Sequence, residues 1–293
     1  MTRGAVLALV LAALVVGYVV WQRPEAPAPK PVPPKEVVLQ YADGSTMWRS
    51  TGAWKQPPIV QRVFAELGTA ALSFDSLRGT GGVVRTTIDA RAQTFAAAVV
   101  GRLIPPLRVI DTSAPTRGRP RELDASVTAI DPGSGRVRVY LPGLSSGDDL
   151  AGGVRKELPA ALAEPLATAA APNAIEERAT PLNVSAAYAT LAARGVQREP
   201  HFVTSVTAAN GSLLYEAADT TKPAFATDRV DRITASLKEK PGCDGTACVP
   251  GAFPWMVGYT PKLAVTVYVE QAGAVDAGLP MLIWQEFLKE LPA

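Results

Sequence analysis

An α+β body behind one membrane-spanning segment is the architecture the sequence predicts. Three observations carry it: an unbroken apolar run near the N-terminus, a proline-alternating tract after it, and strand patterns at both ends of the remaining chain with helical patterns between them. With 293 residues and 47% hydrophobic side chains, the chain can build one large domain or two small ones. A net charge of +2 argues against a broad nucleic-acid footprint. One histidine and two cysteines exclude a multi-histidine zinc site and a disulfide-framework scaffold, and no cofactor motif is present.

Residues 4–21 (GAVLALVLAALVVGYVVW) are uninterrupted apolar side chains. As a helix they span about 27 Å, close to the hydrocarbon thickness of a bilayer. Arg3 precedes the run, and Trp21 is placed for the far interface. A cleaved signal peptide is the competing reading, with Ala26-Pro27-Ala28 at suitable offsets, but the apolar run exceeds the usual signal core and proline interrupts the cleavage motif. Both readings export the body; the retained anchor implies a single-pass plasma-membrane protein with an extracytoplasmic C-terminal part. Residues 24–34 (PEAPAPKPVPP) read as an extended, semi-rigid spacer.

The body begins with a hairpin over 37–49, turning at Asp43-Gly44. Ile59, Val60, Val63, Phe64 and Leu67 fall at helical spacing. A β-branched strand over 83–88 and an alanine-rich helix over 92–103 follow, then a proline-rich loop through 112–120. Strands 125–130 (ASVTAI) and 136–141 (RVRVYL) flank DPGSG, in which proline presets φ and the glycines supply positive φ, so a hairpin is expected. Residues 158–171 read as a helix interrupted by Pro159 and Pro165, and 182–194 as a better one, started by Pro181 and stopped by Gly195. A second hairpin joins 201–206 to 213–215 through Asn210-Gly211, a type I′ signal. Strands 254–259 and 263–270 and an amphipathic helix over 279–291 close the chain. The hairpins predict a central antiparallel sheet with helices around it.

Single residues add little chemistry. His201 has no nucleophile signature beside it and reads as a surface or capping histidine. Cys243 and Cys248 flank four residues, which in an exported protein suggests a local disulfide; the spacing is wrong for a redox Cys-x-x-Cys, and a metal site would need more ligands. Asp148-Asp149 and Glu176-Glu177 read as solvated loops or a helix start, and the Met281, Ile283, Trp284, Phe287, Leu288 stripe as core.

Five segments, in order, resemble the transpeptidase half of the class A penicillin-binding proteins, bacterial cell-wall cross-linking enzymes. They are GGVVRTTIDARAQ (81–93), AIDPGSGRVRVY (129–140), ATPLNVSAAYATLAARGVQREPHFVTSV (179–206), WMVGYTPKLAVTVYVE (255–270) and LPMLIWQEFLKEL (279–291). PPIVQRVFAEL (57–67) is similar to the short helix that joins the two halves of that family. The resemblance implies a penicillin-binding-protein transpeptidase-like fold and divides the chain into an anchor (1–22), a linker (23–36), a hairpin and joining helix (37–83) and a transpeptidase-like domain (84–293). It also implies truncation, because the family's glycosyltransferase half has no counterpart between the first hairpin and the joining helix.

The family's chemistry requires Ser-x-x-Lys, Ser-x-Asn and Lys-Thr/Ser-Gly. No serine in this sequence has lysine three positions on or asparagine two positions on, and the nearest approach, Ser236-Leu237-Lys238, cannot share a helical face. The 140–181 segment that should carry the first two motifs is a short Ala/Pro-rich connection. The third survives as Lys240-Pro241-Gly242 ahead of Trp255, with proline in place of the hydroxyl-bearing residue. Lys240, Gly242 and Trp255 are thus expected as remnants of a substrate-binding edge, with a solvated turn as the plainer account of Lys240. The expected function is a catalytically inactive module that scaffolds or regulates peptidoglycan assembly alongside peptidoglycan or cell-wall synthesis proteins. The alternative is an active serine D,D-transpeptidase or carboxypeptidase using Ser145, Ser146 or Ser185.

Overall fold

The computed structural model describes residues 35–51, 55–104, 123–144, 148–155, 158–169, 179–270 and 276–289, all within one contact unit, Lys35–Ala293. The 4–21 run, the proline tract, the 112–120 loop, Glu176-Glu177, Ser145 and Ser146 lie outside them. Among the described residues no helix is long and apolar enough to cross a membrane.

In chain order the elements are β1 (Val37–Gln40), β2 (Thr46–Arg49), α1 (Pro58–Thr69), α2 (Phe74–Thr80), β3 (Gly82–Thr86), α3 (Ala90–Leu103), β4 (Asp124–Ile130) and β5 (Val137–Leu141). Then come α4 (Ala160–Ala169), α5 (Pro181–Ala192), β6 (Val196–Arg198), β7 (Val203–Ala208), β8 (Leu213–Glu216), β9 (Thr221–Pro223) and α6 (Thr227–Lys238). The chain closes with β10 (Ala247–Val249), β11 (Trp255–Tyr259), β12 (Ala264–Glu270) and α7 (Leu279–Lys289).

The expected single antiparallel sheet is two sheets. One is antiparallel throughout, ordered β10-β11-β12-β4-β5, and unites the 124–141 and 255–270 hairpins. The other, β2-β1-β3-β7-β8, is mixed, because β1 runs parallel to β3. Alternation could not reveal this: a parallel neighbour 45 residues away (Val37 beside Gly82) leaves no mark in the local pattern of either strand. The short pair β6-β9 stands apart.

Burial of the antiparallel sheet on both faces explains its composition. Every residue of β4 is buried. Ala125, Val127 and Ala129 pack with Val265, Val267 and Val269 of β12 in a cluster shared with α3 and α7, whose Ile283, Trp284 and Phe287 fill it. The opposite face meets α5. There Thr128, Thr266 and Ser185 would be costly if left unpaired, and they satisfy one another: Ser185 Oγ lies 2.6 Å from Thr128 Oγ1 and donates to Thr266 Oγ1 at 2.8 Å. α5 starts where Thr180 Oγ1 accepts from the Asn183 N–H at 3.1 Å and stops at Gly195, whose φ of +91° no branched side chain adopts cheaply. The 210–211 turn departs from type I′: Gly211 is at φ +85° whereas Asn210 is not at positive φ, and four residues rather than two connect β7 to β8.

Glu66 ties α1 to the mixed sheet. Its carboxylate accepts the Phe202 N–H at 2.5 Å and the Val203 N–H at 3.1 Å. Burial pushes its pKa above the ordinary 4.5 despite those two bonds. A raised folded-state value means the folded chain holds this proton more tightly than the unfolded one. The stabilising contribution is therefore complete below the unfolded value and is lost as pH rises through the folded value. In Glu66→Gln, stability measured by denaturant titration should carry a constant penalty for the lost acceptor while its decline between pH 4 and pH 7 becomes shallower than in the parent. An unchanged pH slope would contradict this assignment.

Candidate functional site

The antiparallel sheet ends at β10, which pairs only with β11 among the described residues. Along this end runs a groove of about 520 Å³ between α4, α6 and the Val249-Pro250 corner. Ala161, Glu164, Pro165 and Thr168 form one wall, and Arg232, Ser236 and Lys240 bring a guanidinium, a hydroxyl and an amine to the other. Pro165 lies inside α4 and so offers no N–H to the Ala161 carbonyl one turn before it. Behind the groove, Tyr188 of α5 donates to the Leu162 carbonyl at 2.9 Å, and Thr234 of α6 lies 2.8 Å from the Tyr259 hydroxyl. Both helices are thereby fastened to the floor.

Lys240, Gly242 and Trp255 do not converge. Lys240 is exposed and opens into the groove. Gly242, at φ +81°, turns toward α7: a Cβ there would stand 2.8 Å from Met281 Cε, and its carbonyl accepts from Gln285 Nε2 at 3.2 Å. Trp255 is only 2% exposed, its ring edge-on to Tyr268 at 4.8 Å, and presents no surface to a solute. Cys243 and Cys248 are joined in a disulfide with Cα atoms 5.6 Å apart, and both pack in the cluster of Met256, Ile283 and Trp284.

The segment after β5, where a nucleophile was sought, is a tied strap over 148–155. Asp149, read from sequence as solvated, is half-buried. Its carboxylate accepts from the Tyr140 hydroxyl at 2.6 Å and the Gly152 N–H at 2.9 Å, and it pairs with Arg62 of α1 at 2.7 Å. At the strap's other end Arg155 meets Glu270 of β12 at 3.1 Å, both side chains at most 16% exposed, with its guanidinium over the Tyr268 ring. The backbone closes the attachment: the Ala151 carbonyl accepts from Leu182 N at 3.0 Å, and Arg155 N donates to the Ala179 carbonyl at 3.1 Å. Sequence reasoning missed this network because Arg62 and Asp149 are 87 positions apart.

Nucleophilic chemistry finds little here. Ser185 is completely buried, its hydroxyl committed to Thr128 and Thr266. His201 is joined to the sheet through a parallel bridge with Arg136, its Nδ1 3.2 Å from the Glu199 carbonyl. Among the described residues no cluster of three or more His, Cys, Asp or Glu could hold a metal ion.

No protein-family model matches the chain. Penicillin-binding protein 1A of Mycobacterium tuberculosis is 32% identical over 138 aligned residues, covering 36% of this chain and 17% of that protein. The structure of the penicillin-binding protein PonA1 from Mycobacterium tuberculosis superposes with a TM-score of 0.59 at 21% identity, over 80% of this chain and 92% of that one. The D,D-transpeptidase domain of a peptidoglycan glycosyltransferase from Eggerthella lenta gives 0.56 at 14% identity, over 88% and 98%. The body of the chain has a penicillin-binding-protein transpeptidase-like fold. Between β5 and α5 the described residues include the 148–155 strap and the segment that carries α4. The chain spans under a fifth of the length of the penicillin-binding protein 1A it matches.

Proposed function

We propose that this protein is a non-catalytic penicillin-binding-protein-like module, anchored by residues 4–21 at the outer face of the plasma membrane, that scaffolds or regulates peptidoglycan assembly. One observation carries the reading: residues 148–155, after β5, form a strap held at Arg62, Tyr140, Ala179 and Glu270, in a sequence where no serine has a lysine three residues on. Ser-x-x-Lys chemistry needs a hydroxyl and an amine one helical turn apart in an accessible cleft. The open groove beside β10 retains a lysine, an arginine and a serine, suited to holding a peptide rather than cleaving one. Lys240 would face the ligand there, with Gly242 shaping the turn that presents it.

Incubation of the purified protein with a fluorescent β-lactam, followed by mass spectrometry, tests this. The expected result is no covalent adduct. An adduct on any serine, whether Ser145, Ser146 or Ser185 or the groove's Ser236, would overturn the reading in favour of an active serine transpeptidase or carboxypeptidase.

A further inference from the structure

We infer that Asn210, at the tip of the β7-β8 hairpin, is a site of self-modification. The Gly211 backbone nitrogen attacks its side-chain amide, and the residue is converted through a cyclic succinimide to aspartate and isoaspartate. The site is separate from the β10 groove, and either reading can fail without the other.

Access, activation and weak restraint converge at this position. Residues 209–214 are all exposed, and a Cβ at Gly211 would meet nothing within 4 Å, so neither the attacking residue nor a neighbour shields the amide from water. Asn210 Oδ1 already accepts from the Ser212 N–H at 3.0 Å and from the Ser212 hydroxyl at 2.7 Å. Attack at Cγ develops negative charge on that same oxygen, and donors aimed at it beforehand stabilise the tetrahedral intermediate as an oxyanion hole does. The attacking nitrogen is held by a turn bond to the Ala208 carbonyl at 2.9 Å, and a bond at an exposed hairpin tip opens at low cost. Asn183 offers a contrast. It lies in the first turn of α5, where the next nitrogen belongs to β-branched Val184 and donates to the Thr180 carbonyl at 3.0 Å.

In ring closure the Gly211 nitrogen loses its proton to water or hydroxide and bonds to Asn210 Cγ. The side-chain nitrogen takes up a proton and leaves as ammonia. Water then opens the ring: addition at Cγ gives aspartate, and addition at the main-chain carbonyl carbon gives isoaspartate. Water is the one reactant consumed. Either product places a carboxylate on the hairpin tip. Isoaspartate also adds a backbone atom to a turn closed by the Ala208 N–H and the Ser212 carbonyl at 2.8 Å, which loosens β8 from β7.

Peptide mapping by mass spectrometry, after the folded full chain is incubated at neutral and at mildly alkaline pH, tests the inference. Asn210 should yield aspartate and isoaspartate together, faster as hydroxide rises, and Asn183 should convert at least tenfold more slowly. Ser212→Ala should slow conversion at Asn210 at least threefold, and Ser212→Thr, which keeps the hydroxyl, should restore the rate. Conversion of Asn210 only in denaturant, aspartate as the sole product, an undiminished rate in Ser212→Ala, or equal conversion at Asn183 would each overturn the proposal.

Discussion

Asp149→Ala should destabilise the domain by about 3 kcal/mol, because it leaves the Tyr140 hydroxyl, completely buried, and the Arg62 guanidinium without their shared acceptor. In a domain of this size that corresponds to a fall in Tm of roughly 6–12 °C. Burial and the neighbouring Asp149 carboxylate both push the Tyr140 phenol upward, so it stays a neutral donor through the accessible pH range and offers no compensating charge. A double-mutant cycle with Arg62→Ala distinguishes a joint network from independent contacts, and a coupling of about 1 kcal/mol or more is expected for groups in direct contact. Additive effects would show that the strap is not held through this pair.

Phe287→Ala should be costlier still. Phe287 is completely buried on α7, stacked with Phe95 of α3 at 6.4 Å, in the cluster that closes one face of the antiparallel sheet. Truncating a phenylalanine in such a site costs about 3–5 kcal/mol from lost transfer energy and the cavity left behind. Leu282→Ala on the same helix, where the side chain is 42% exposed, should stay within about 0.5 kcal/mol. Equal effects at the two positions would mean that α7 does not seat as described.

What the sequence disclosed follows the range of the interactions involved. The hairpin around DPGSG was legible because Pro132 and the glycines act within five residues, and α5 because Pro181 and Gly195 mark its ends; the Thr180 cap was not read from the sequence. α6 was missed: only Val230 and Leu237 are buried along twelve residues, so its apolar stripe is thin, although Val230, Ile233 and Leu237 do keep helical spacing. α2 has seven residues, and β6, β9 and β10 have three each, too short for periodicity to speak. The disposition of the site was less accessible still. Trp255 belongs to a strand buried on both faces, which a run such as WMVGY cannot distinguish from one with an open side. The role of Asp149 depends on partners from α1 and β5, and no motif announces it.

The pairing of β4 with β12 has a temporal consequence. Asp124 lies opposite Glu270 and Ile130 opposite Ala264, so the middle of the antiparallel sheet joins segments more than 130 positions apart. During synthesis the β4-β5 hairpin emerges long before the strand that covers its open edge, and α7, which shields that sheet, comes later again. Assembly of such a topology is slow, and its unpaired edge is vulnerable to aggregation in the interval. The open edge of β4 therefore stays exposed until β12 has been made, and the face that α7 covers stays exposed for longer.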